Sequence, residues 1–257
     1  MRIGVAGIAG RMGRLVAREA VAVGALLAGG TWRAGEMPPE GVAHYADAGA
    51  LARHSDIVVD FTHASTVRPH AAALAEAGCA WVLGTTGLTQ ADQEAVRAAA
   101  GRIPVVQAAN FSPGVTLLLA LAARLGAALP ADSYDAEIVE MHHRQKTDAP
   151  SGTALALGEA VARGRGVALE RVAVRGRDGD TGPRPSGAIG FASLRGGQVV
   201  GEHTLLFAAG DEHIALTHRA FDRAVFARGA VRAALWVQGR PPGLYGMEDV
   251  LGMGYAE

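Results

Sequence analysis

Short apolar runs alternate with helix-length segments through the first half of the chain, and this alternation limits the available folds more than any other feature. The strand-like runs, most of them separated by helical patterns, lie at residues 2–6, 26–32, 56–60, 81–83 and 103–106. Strands that alternate with helices are typical of a parallel sheet that helices cover on both faces. The first half is therefore predicted to be α/β, a Rossmann-like doubly wound parallel sheet.

The pattern changes after a long apolar helix predicted at 113–129. Strand-like segments with glycine-rich turns then predominate, at residues 134–141, 172–175, 189–194, 199–208 and 213–219. This pattern favours a smaller α+β domain with a mostly antiparallel sheet. We expect one domain at 1–112, a second at 113–220, and a C-terminal helix and tail at 221–257 that return to the first domain.

The charge balance makes a small molecule the expected partner. The formal net charge is −1, so the chain lacks the basic excess that binding to nucleic acid or to an anionic membrane requires. No apolar run approaches the ~18 residues of a membrane span, and the chain opens directly into a strand-like pattern rather than a signal peptide. A cytoplasmic location is expected.

A glycine-bearing turn joins the first strand to the first helix. Its residues are Gly7, Ile8, Ala9, Gly10, Arg11, Met12 and Gly13. Glycines at such a turn let the backbone bring the helix N-terminus against a pyrophosphate. Ala9 stands where the strict G-x-G-x-x-G pattern has its second glycine, and a turn without a ligand is the alternative. We predict a dinucleotide site at this turn.

The second strand ends without the acidic residue that usually takes the adenosine ribose hydroxyls. Thr31, Trp32 and Arg33 stand there, and the first carboxylate is Glu36. A guanidinium can bind a 2′-phosphate and an indole can stack on adenine, which favours NADPH over NADH. The alternative is that Arg33 is a solvated loop cation.

Two further loops follow strands at the carboxyl edge of the predicted sheet. Gly84, Thr85, Thr86 and Gly87 follow one strand, and residues 109–112, Ala-Asn-Phe-Ser, follow the next. Loops of this kind meet in one crevice, where short polar groups can bind ribose or carboxamide. Turn chemistry alone would also explain these residue types.

The densest group of functional side chains lies between Glu140 and Thr153. Lys146 is the one lysine among 24 basic residues, which indicates chemistry that needs an ammonium rather than a guanidinium, although a lysine left by chance is the alternative. Ser151 is expected to cap a helix whose free amides, beside Gly152 and Thr153, suit a carboxylate together with Lys146. An anionic substrate is implied.

His142 and His143 stand side by side in this segment. Histidine titrates near neutrality, so one of the pair can transfer a proton during a hydride transfer. A zinc site is disfavoured, because adjacent residues of a strand point to opposite faces and other candidate ligands are sparse. No metal is expected, and the remaining histidines, including His203, are assigned structural or surface roles.

The segment from Glu140 to Ala154 resembles the signature of the 4-hydroxy-tetrahydrodipicolinate reductases, E-x-H-H-x-x-K-x-D-A-P-S-G-T-A, at every fixed position. The resemblance runs in order through nearly the whole chain. It includes the glycine turn with Arg11-Met12, Asp60-Phe-Thr62, Gly84 to Gly87, Ala109 to Ser112, Ile189-Gly-Phe191, Arg195-Gly196 and Gly201-Glu-His-Thr204.

The resemblance implies a reductase of lysine and diaminopimelate biosynthesis that passes a hydride from NADPH or NADH to a cyclic imine dicarboxylate, with loss of water. His142 is the implied proton donor, and Lys146 is a second donor that also clamps the substrate. The implied substrate contacts are His143, Gly152 and Thr153, with Ser151 at the helix start. The implied nucleotide contacts are Gly7 to Met12, Arg33, Gly84, Thr85, Thr86, Ala108, Ala109, Asn110 and Phe111.

The family also implies a homotetramer built through the sheets of the second domain. On this basis residues 1–112 would bind the dinucleotide, and residues 113–220 would bind the substrate and form the oligomer. Trp32 departs from the family pattern, since many members carry an acid there, and the departure argues against equal use of NADH.

Two other functions are compatible with parts of the chain. Another NAD(P)-dependent dehydrogenase of amino-acid metabolism, such as a semialdehyde dehydrogenase, would need an activated cysteine near the nicotinamide. Cys79, the single cysteine, precedes its strand and lies in an apolar run. A non-catalytic nucleotide-sensing module needs the first domain but has no use for His142 and Lys146.

Overall fold

The structure is a computed structural model and describes residues 1–253. It divides into two units: the first holds residues 1–113 and the chain from Arg223 on, and the second holds residues 114–222. The chain thus leaves the first unit once and returns to it. Residues 254–257, the end of the predicted C-terminal tail, lie outside the described residues.

The strands and helices are numbered along the chain. The strands are β1 (Arg2–Ala6), β2 (Leu26–Gly30), β3 (Ile57–Asp60), β4 (Ala80–Leu83), β5 (Pro104–Gln107), β6 (Asp135–His142), β7 (Ala173–Val174), β8 (Ile189–Arg195), β9 (Gly201–Ala208), β10 (His213–Ala220) and β11 (Gly243–Tyr245). The helices are α1 (Arg11–Ala22), α2 (Ala48–Arg53), α3 (Ala64–Ala77), α4 (Gln90–Ala100), α5 (Pro113–Ala128), α6 (Gly152–Gly164), α7 (Leu169–Val172), α8 (Ala224–Val237) and α9 (Met247–Val250).

A parallel six-stranded sheet organises the first unit. Its strand order is β11-β5-β4-β3-β1-β2, and the pairings are parallel throughout. Because β1 lies between β2 and β3, the strand order reverses at β1, which is where doubly wound sheets form their binding crevice. The predicted Rossmann-like architecture is confirmed.

Helices cover both faces of this sheet. On one face α1 and α8 pack on a core that includes Val59 and Val82, and on the other α2, α3 and α4 pack around Val58 and Trp81. Successive residues of one strand face opposite layers, so these short strands must be apolar throughout, as the sequence is. A capping box begins α4, with the Thr89 side chain accepting from the Asp92 backbone N–H.

The second unit contains a mixed sheet with the order β10-β9-β6-β8-β7. The antiparallel pairing predicted for this half holds for β10 with β9 and for β9 with β6, whereas β8 pairs in parallel with β6 and with β7. The reason is the long connection through α6 and β7, which carries the chain from the C-terminal end of β6 back to its N-terminal end before β8 begins, and so makes β8 parallel to β6.

One face of the mixed sheet is buried and the other is half-exposed. Ile138, Leu205 and Phe207 point into a core shared with α5 and α6, while Val139 and Leu206 alternate with them on the opposite face.

Among the described helices none is both long and apolar enough to cross a membrane.

Candidate active site

The glycine turn between β1 and α1 is closed by contacts that only glycine allows. Gly7 has a φ of 67°, in the left-handed region that side chains disfavour. A Cβ at Gly13, in the first turn of α1, would lie 2.3 Å from the carbonyl oxygen of Gly7 and 2.7 Å from the Cα of Ile8. The third glycine of the pattern therefore lets the helix start pack directly on the turn.

The N-terminus of α1 is open to an anion. Gly10 precedes the helix and supplies no side-chain cap, and the first turn carries no acidic residue. The backbone N–H groups of a first turn lack partners within the helix, and the helix dipole makes this end electropositive. Gly10, Arg11 and Met12 therefore present the kind of helix start that binds a pyrophosphate.

The loops after β3, β4 and β5 meet at the same carboxyl edge. A Cβ at Gly84 would lie 2.1 Å from the ring of Phe61, and Phe61 meets Phe111 edge to face with ring centroids 5.4 Å apart. Thr85 is buried, and among the described residues its hydroxyl has no hydrogen-bond partner. Buried hydroxyls are normally satisfied, so a ligand group at this edge is the expected partner of Thr85.

The loop after β3 owes its shape to a buried carboxylate that the sequence analysis did not single out as a site residue. Asp60 is fully buried and accepts hydrogen bonds from the backbone N–H and hydroxyl of Thr62. His70 lies 2.7 Å from its other oxygen. The only sequence signal was the Asp-Phe-Thr motif, in which an acid at the end of an apolar strand is unusual without a polar partner.

Arg33 does not stand alone at the end of β2. Its guanidinium lies 2.6 Å from Glu36, and Glu36 also accepts the backbone N–H of Arg33. These hydrogen bonds, first from the backbone and then from the side chain of Arg33, lower the pKa of Glu36. The ring of Trp32 packs against that of His44 at a tilt of 38°, with ring centroids 4.1 Å apart. Glu36, the first carboxylate after β2, is therefore the ion-pair partner of Arg33.

The residues of this edge fit a dinucleotide. The glycine turn leaves the start of α1 without a side-chain cap, Thr85 offers a buried hydroxyl, and the side chain of Arg33 is 88% exposed although it pairs with Glu36. Thr86 and Ala109 are exposed, whereas Ala108 and Asn110 are half-buried and Asn110 accepts the backbone N–H of Ser112. The loops thus combine the helix N-terminus, polar groups and small residues that a nucleotide requires.

In the second unit β6 aligns a carboxylate with a histidine. Residues two apart on a strand share a face, so Glu140 and His142 both point to the buried side of the sheet. The Nδ1 of His142 is hydrogen-bonded to the Oε2 of Glu140. Arg195, on β8, binds both oxygens of the same carboxylate at 2.9 and 3.0 Å. The result is a chain of contacts from guanidinium to carboxylate to imidazole.

Burial and neighbouring charge act in opposite directions on these groups. Burial raises the pKa of Glu140, but hydrogen bonds from Arg195, Ser193 and His142 outweigh it, and the pKa lies below its usual range. Burial lowers the pKa of His142, and the contact with Glu140 only partly offsets this. Glu140 is thus an anion at neutral pH, and His142 is more easily deprotonated than a free histidine.

Lys146 and the helix start lie in the segment that follows β6. The ammonium of Lys146 contacts both oxygens of Asp148 at 2.8 Å and remains 20% exposed. Ser151 caps α6 as predicted, with its hydroxyl accepting from the backbone N–H of Ala154. Gly152 is exposed, and His143 and Thr153 are half-buried. The predicted substrate residues thus lie within one continuous stretch of this unit.

Two further residues join this network without having been selected from the sequence. Arg195 was noted only as part of a family motif, and His203 was assigned a structural or surface role. His203 is 4% exposed, its Nε2 lies 3.1 Å from the Ser151 hydroxyl, and its ring meets that of His142 edge to face. Both come from strands that neighbour β6, a proximity that only the sheet order reveals.

Glu140, His142 and His203 offer ligand atoms within 4.8 Å of one another. This cluster differs from the adjacent histidines considered for zinc, because His142 and His203 come from different strands. However, the guanidinium of Arg195 already binds both carboxylate oxygens, and a cation beside it would be repelled. The four side chains form a network of hydrogen bonds, an ion pair and a ring contact.

Cys79 has the environment of a structural residue. It is 3% exposed, and burial, followed by the nearby charge of Asp56, raises the pKa of its thiol to about 12. A thiol of this kind supplies no thiolate near neutral pH, so it cannot serve as the nucleophile that a semialdehyde dehydrogenase needs.

Glycines that bring a helix N-terminus to the point where the strand order of a parallel sheet reverses are the mark of dinucleotide-dependent oxidoreductases. The second unit of the same chain holds a buried histidine that is hydrogen-bonded to an anionic carboxylate.

Comparison with known sequences then gives the family. Residues 1–111 match the model of dihydrodipicolinate reductase, N-terminus, and residues 114–251 match that of dihydrodipicolinate reductase, C-terminus. The chain therefore belongs to the dihydrodipicolinate reductase family, a family of NAD(P)H-dependent oxidoreductases, as the sequence motifs predicted.

Individual relatives agree over the full length. The chain is 66% identical over 255 residues to the 4-hydroxy-tetrahydrodipicolinate reductase of Granulibacter bethesdensis, covering 98% of this chain and 97% of that protein. It is 63% identical over 253 residues to the enzyme of the same name from Gluconacetobacter diazotrophicus, covering 98% of each. A structure of dipicolinate-bound dihydrodipicolinate reductase from a Paenisporosarcina species shares the fold, with a TM-score of 0.79 at 23% identity over 97% of this chain and 98% of that one.

Proposed function

We propose that the protein reduces 4-hydroxy-tetrahydrodipicolinate to tetrahydrodipicolinate in lysine and diaminopimelate biosynthesis, with His142 and Lys146 as its proton-donating residues. The observation that carries the proposal is the stretch from Glu140 to Thr153, which combines a buried histidine, the single lysine and the start of α6. The conversion takes up one hydride and one proton and releases one water. A bound nicotinamide supplies the hydride, and the chain must supply the proton and hold the substrate.

The substrate would be held through its carboxylates. Ser151 caps α6 with its side chain, and the helix dipole makes the amides of Gly152 and Thr153 suitable for an anion. Lys146 supplies a compact positive charge in the same stretch, and His143 adds a further donor. A dicarboxylate is matched by this combination, and dipicolinate, which the Paenisporosarcina enzyme binds, is a dicarboxylate.

The proton would come from His142 acting as an imidazolium. Burial lowers the pKa of His142, so the free protein holds it largely neutral, and an arriving dianion favours the protonated form. Lys146 is the second candidate donor, because an ammonium can release a proton whereas a guanidinium cannot. The proton leaves with the hydroxyl group as water, which balances the hydride added to the ring.

We propose that NADPH is preferred over NADH. The support is Arg33, an exposed guanidinium at the end of β2 that can turn toward a 2′-phosphate. Its ion pair with Glu36 must open for this, which moderates the preference. The residues that would hold the dinucleotide are those of the glycine turn and of the loops after β4 and β5.

We also propose a homotetramer, assembled through the half-exposed face of the mixed sheet. Val139, Leu206 and the 51% exposed Leu194 lie on or beside this face, and apolar sheet faces of this size are usually covered. Light scattering is expected to find four chains per particle. A monomer at micromolar concentration would contradict the proposal.

The test of the reaction is NADPH oxidation followed with 4-hydroxy-tetrahydrodipicolinate as substrate, in the unmodified protein and in His142→Asn. We expect turnover in the first and a loss of about a hundredfold or more in the second, the scale of general acid catalysis. Turnover with an amino-acid semialdehyde in place of this substrate would contradict the proposal, as would nucleotide binding without any turnover.

A further inference from the structure

Glu140 is bound on every side. It is 1% exposed, and its Oε1 accepts from Arg195 at 2.9 Å and from the backbone N–H of Ser151 at 3.3 Å. Its Oε2 accepts from Arg195 at 3.0 Å and contacts the Nδ1 of His142. A buried carboxylate with both oxygens fixed can hold a neighbouring ring in one orientation.

The sheet register explains why these three side chains meet. Arg195 on β8 pairs with His142 on β6, and Ser193 pairs with Glu140. Arg195 must therefore lean toward the N-terminal end of β6 to reach Glu140, and it also donates to the carbonyl oxygen of Asp148 at 2.6 Å. The same guanidinium thus fixes the strand that carries His142 and the loop that carries Lys146.

The charge of Glu140 decides which nitrogen of His142 can exchange a proton. An ionised carboxylate only accepts hydrogen bonds, so the Nδ1 that contacts it must carry hydrogen. The proton that changes between imidazole and imidazolium is then the one on Nε2. We propose that Glu140, fixed by Arg195, is a positioning residue that holds His142 with Nε2 as its proton-donating nitrogen. The inference rests on the proposed role of His142 in the reduction.

The groups that face His142 support this assignment. Lys146 and Arg195 disfavour its protonation through their positive charge, and the ring of His203 adds no charge, because burial lowers the pKa of His203 to about 4. Glu140 is the one group among these four that favours the imidazolium. Without the charge of Glu140, the pKa of His142 would fall further, and less imidazolium would be available to donate a proton.

Glu137, three residues before Glu140 on β6, offers a matched control. Glu137 also lies on β6 and also binds two guanidinium groups, those of Arg177 and Arg184, at 2.8 to 3.0 Å. It points to the opposite face of the sheet from Glu140 and contacts no histidine among the described residues. Replacing Glu137 therefore removes a carboxylate and its arginine contacts from the same strand without touching His142.

The experiment compares Glu140→Gln with Glu137→Gln in three measurements. The first follows the ring nitrogens of His142 by NMR in the cofactor-free protein. We expect the neutral form to carry hydrogen on Nδ1 in the wild type and in Glu137→Gln, and the titration midpoint to fall in Glu140→Gln. Hydrogen on Nε2 in the neutral wild-type ring would overturn the proposal without any variant, so it stays testable even if Glu140→Gln fails to fold.

The second measurement is kinetic. In Glu140→Gln we expect kcat to fall by about tenfold to a hundredfold, within the range of general acid–base catalysis, while KM for NADPH stays within about twofold. The fall in activity with rising pH should begin at lower pH, since less imidazolium is present. Glu140→Asp, which keeps the charge on a shorter side chain, should recover part of the loss. Equal losses in Glu137→Gln and Glu140→Gln, or no rescue by aspartate, would contradict a positioning role.

The third measurement separates this inference from the proposed function. In a His142→Asn background, Glu140→Gln should cost little more activity, because its effect acts through the missing histidine. A full additional loss would show that Glu140 acts elsewhere and would overturn the inference. If His142→Asn alone leaves turnover intact, the proposed function of His142 fails, while the NMR result on the ring still stands by itself.

Discussion

The glycine turn of the first unit is so tightly packed that a Cβ on Gly13 would lie 2.3 Å from a carbonyl oxygen. At the end of β6 in the second unit, by contrast, the Glu140 carboxylate contacts both His142 and the guanidinium of Arg195. The first site depends on glycines that have no side chain, and the second depends on charged side chains. Steric crowding should therefore damage nucleotide binding, and changes of charge or proton affinity should damage turnover.

The largest effect that separates the two sites is expected for Lys146→Arg. Arginine serves at the 23 other basic positions of this chain, so a surface role would make the change harmless. If Lys146 donates a proton or clamps a carboxylate, the bulkier and permanently charged guanidinium should lower turnover by about a hundredfold or more. Thermal melting and NADPH affinity should stay unchanged, since the proposed dinucleotide site lies in the other unit.

Arg144→Lys is the control for Lys146→Arg, because it makes the reverse exchange two residues away at an exposed position. It should leave turnover, thermal melting and NADPH affinity unchanged. Unchanged turnover in Lys146→Arg would remove Lys146 from the mechanism and leave His142 as the proposed donor. Lost NADPH binding would mean that the two sites are wrongly assigned.

The next largest effect is expected for Gly13→Ala, which should damage the glycine turn of the first unit and leave the site at the end of β6 intact. Gly13→Ala places a methyl group against backbone atoms that cannot move independently, and overpacking of this kind costs about 1 to 3 kcal/mol. We expect NADPH affinity and thermal stability to fall together, with kcat at saturating NADPH largely retained. Gly101→Ala is the control, because the nearest atom that a Cβ there would meet beyond its chain neighbours, the carbonyl oxygen of Ala98, is 3.4 Å away. Equal NADPH affinity in both variants would contradict this account of the glycine turn.

The two sites also differ in how far the sequence could predict them. The glycine turn and the alternation of strands and helices depend on neighbours along the chain, and these predictions agree with the structure. The cap at Ser151 is local in the same way. Short elements such as α2 and β11 carried too few residues for a periodic pattern, and the parallel pairing of β8 needed the path of the chain through α6.

Residues that act across strands were harder to predict. Arg195 and His203 reach Glu140, His142 and Ser151 only because β8 and β9 flank β6, and no spacing in the sequence encodes that order. The sequence likewise located Glu36 as the first carboxylate after β2 but gave no contact, whereas in the structure Glu36 accepts hydrogen bonds from Arg33, three residues before it. Family motifs pointed to Arg195 and His203 but gave no contact.

A smaller effect is expected at the adenosine end of the first site. Arg33→Ala should narrow the preference for NADPH over NADH by about tenfold, near the lower end of a charge-assisted contact, because Arg33 must first release Glu36. Binding titrations with both dinucleotides measure the ratio. Glu36→Gln is the informative partner, since freeing Arg33 should increase the preference. Equal affinities for NADPH and NADH in the unmodified protein would contradict the prediction.

The smallest effect is a dependence of stability on pH that arises in the second unit. Burial, with a smaller contribution from the charge of His142, lowers the pKa of His203 from 6.5 to about 4. Between these two pKa values His203 binds a proton in the unfolded chain but not in the folded one. The free energy of unfolding therefore rises with pH across this window and falls as the pH is lowered through it. For His203 alone, lowering the pH from about 7 to about 5.5 should reduce the free energy of unfolding by about 1 kcal/mol.

His203→Gln removes this titration, so the melting temperature of the variant should change less between these two pH values than that of the wild type. The same comparison with His213→Gln, at an exposed position on β10, should leave the wild-type dependence in place. The measurement also bears on the network around His142. If the stability of His203→Gln falls with acid as steeply as that of the wild type, His203 must be protonated in the folded protein. Its positive charge would then add to those of Lys146 and Arg195 beside His142, and Glu140 would have to offset all three.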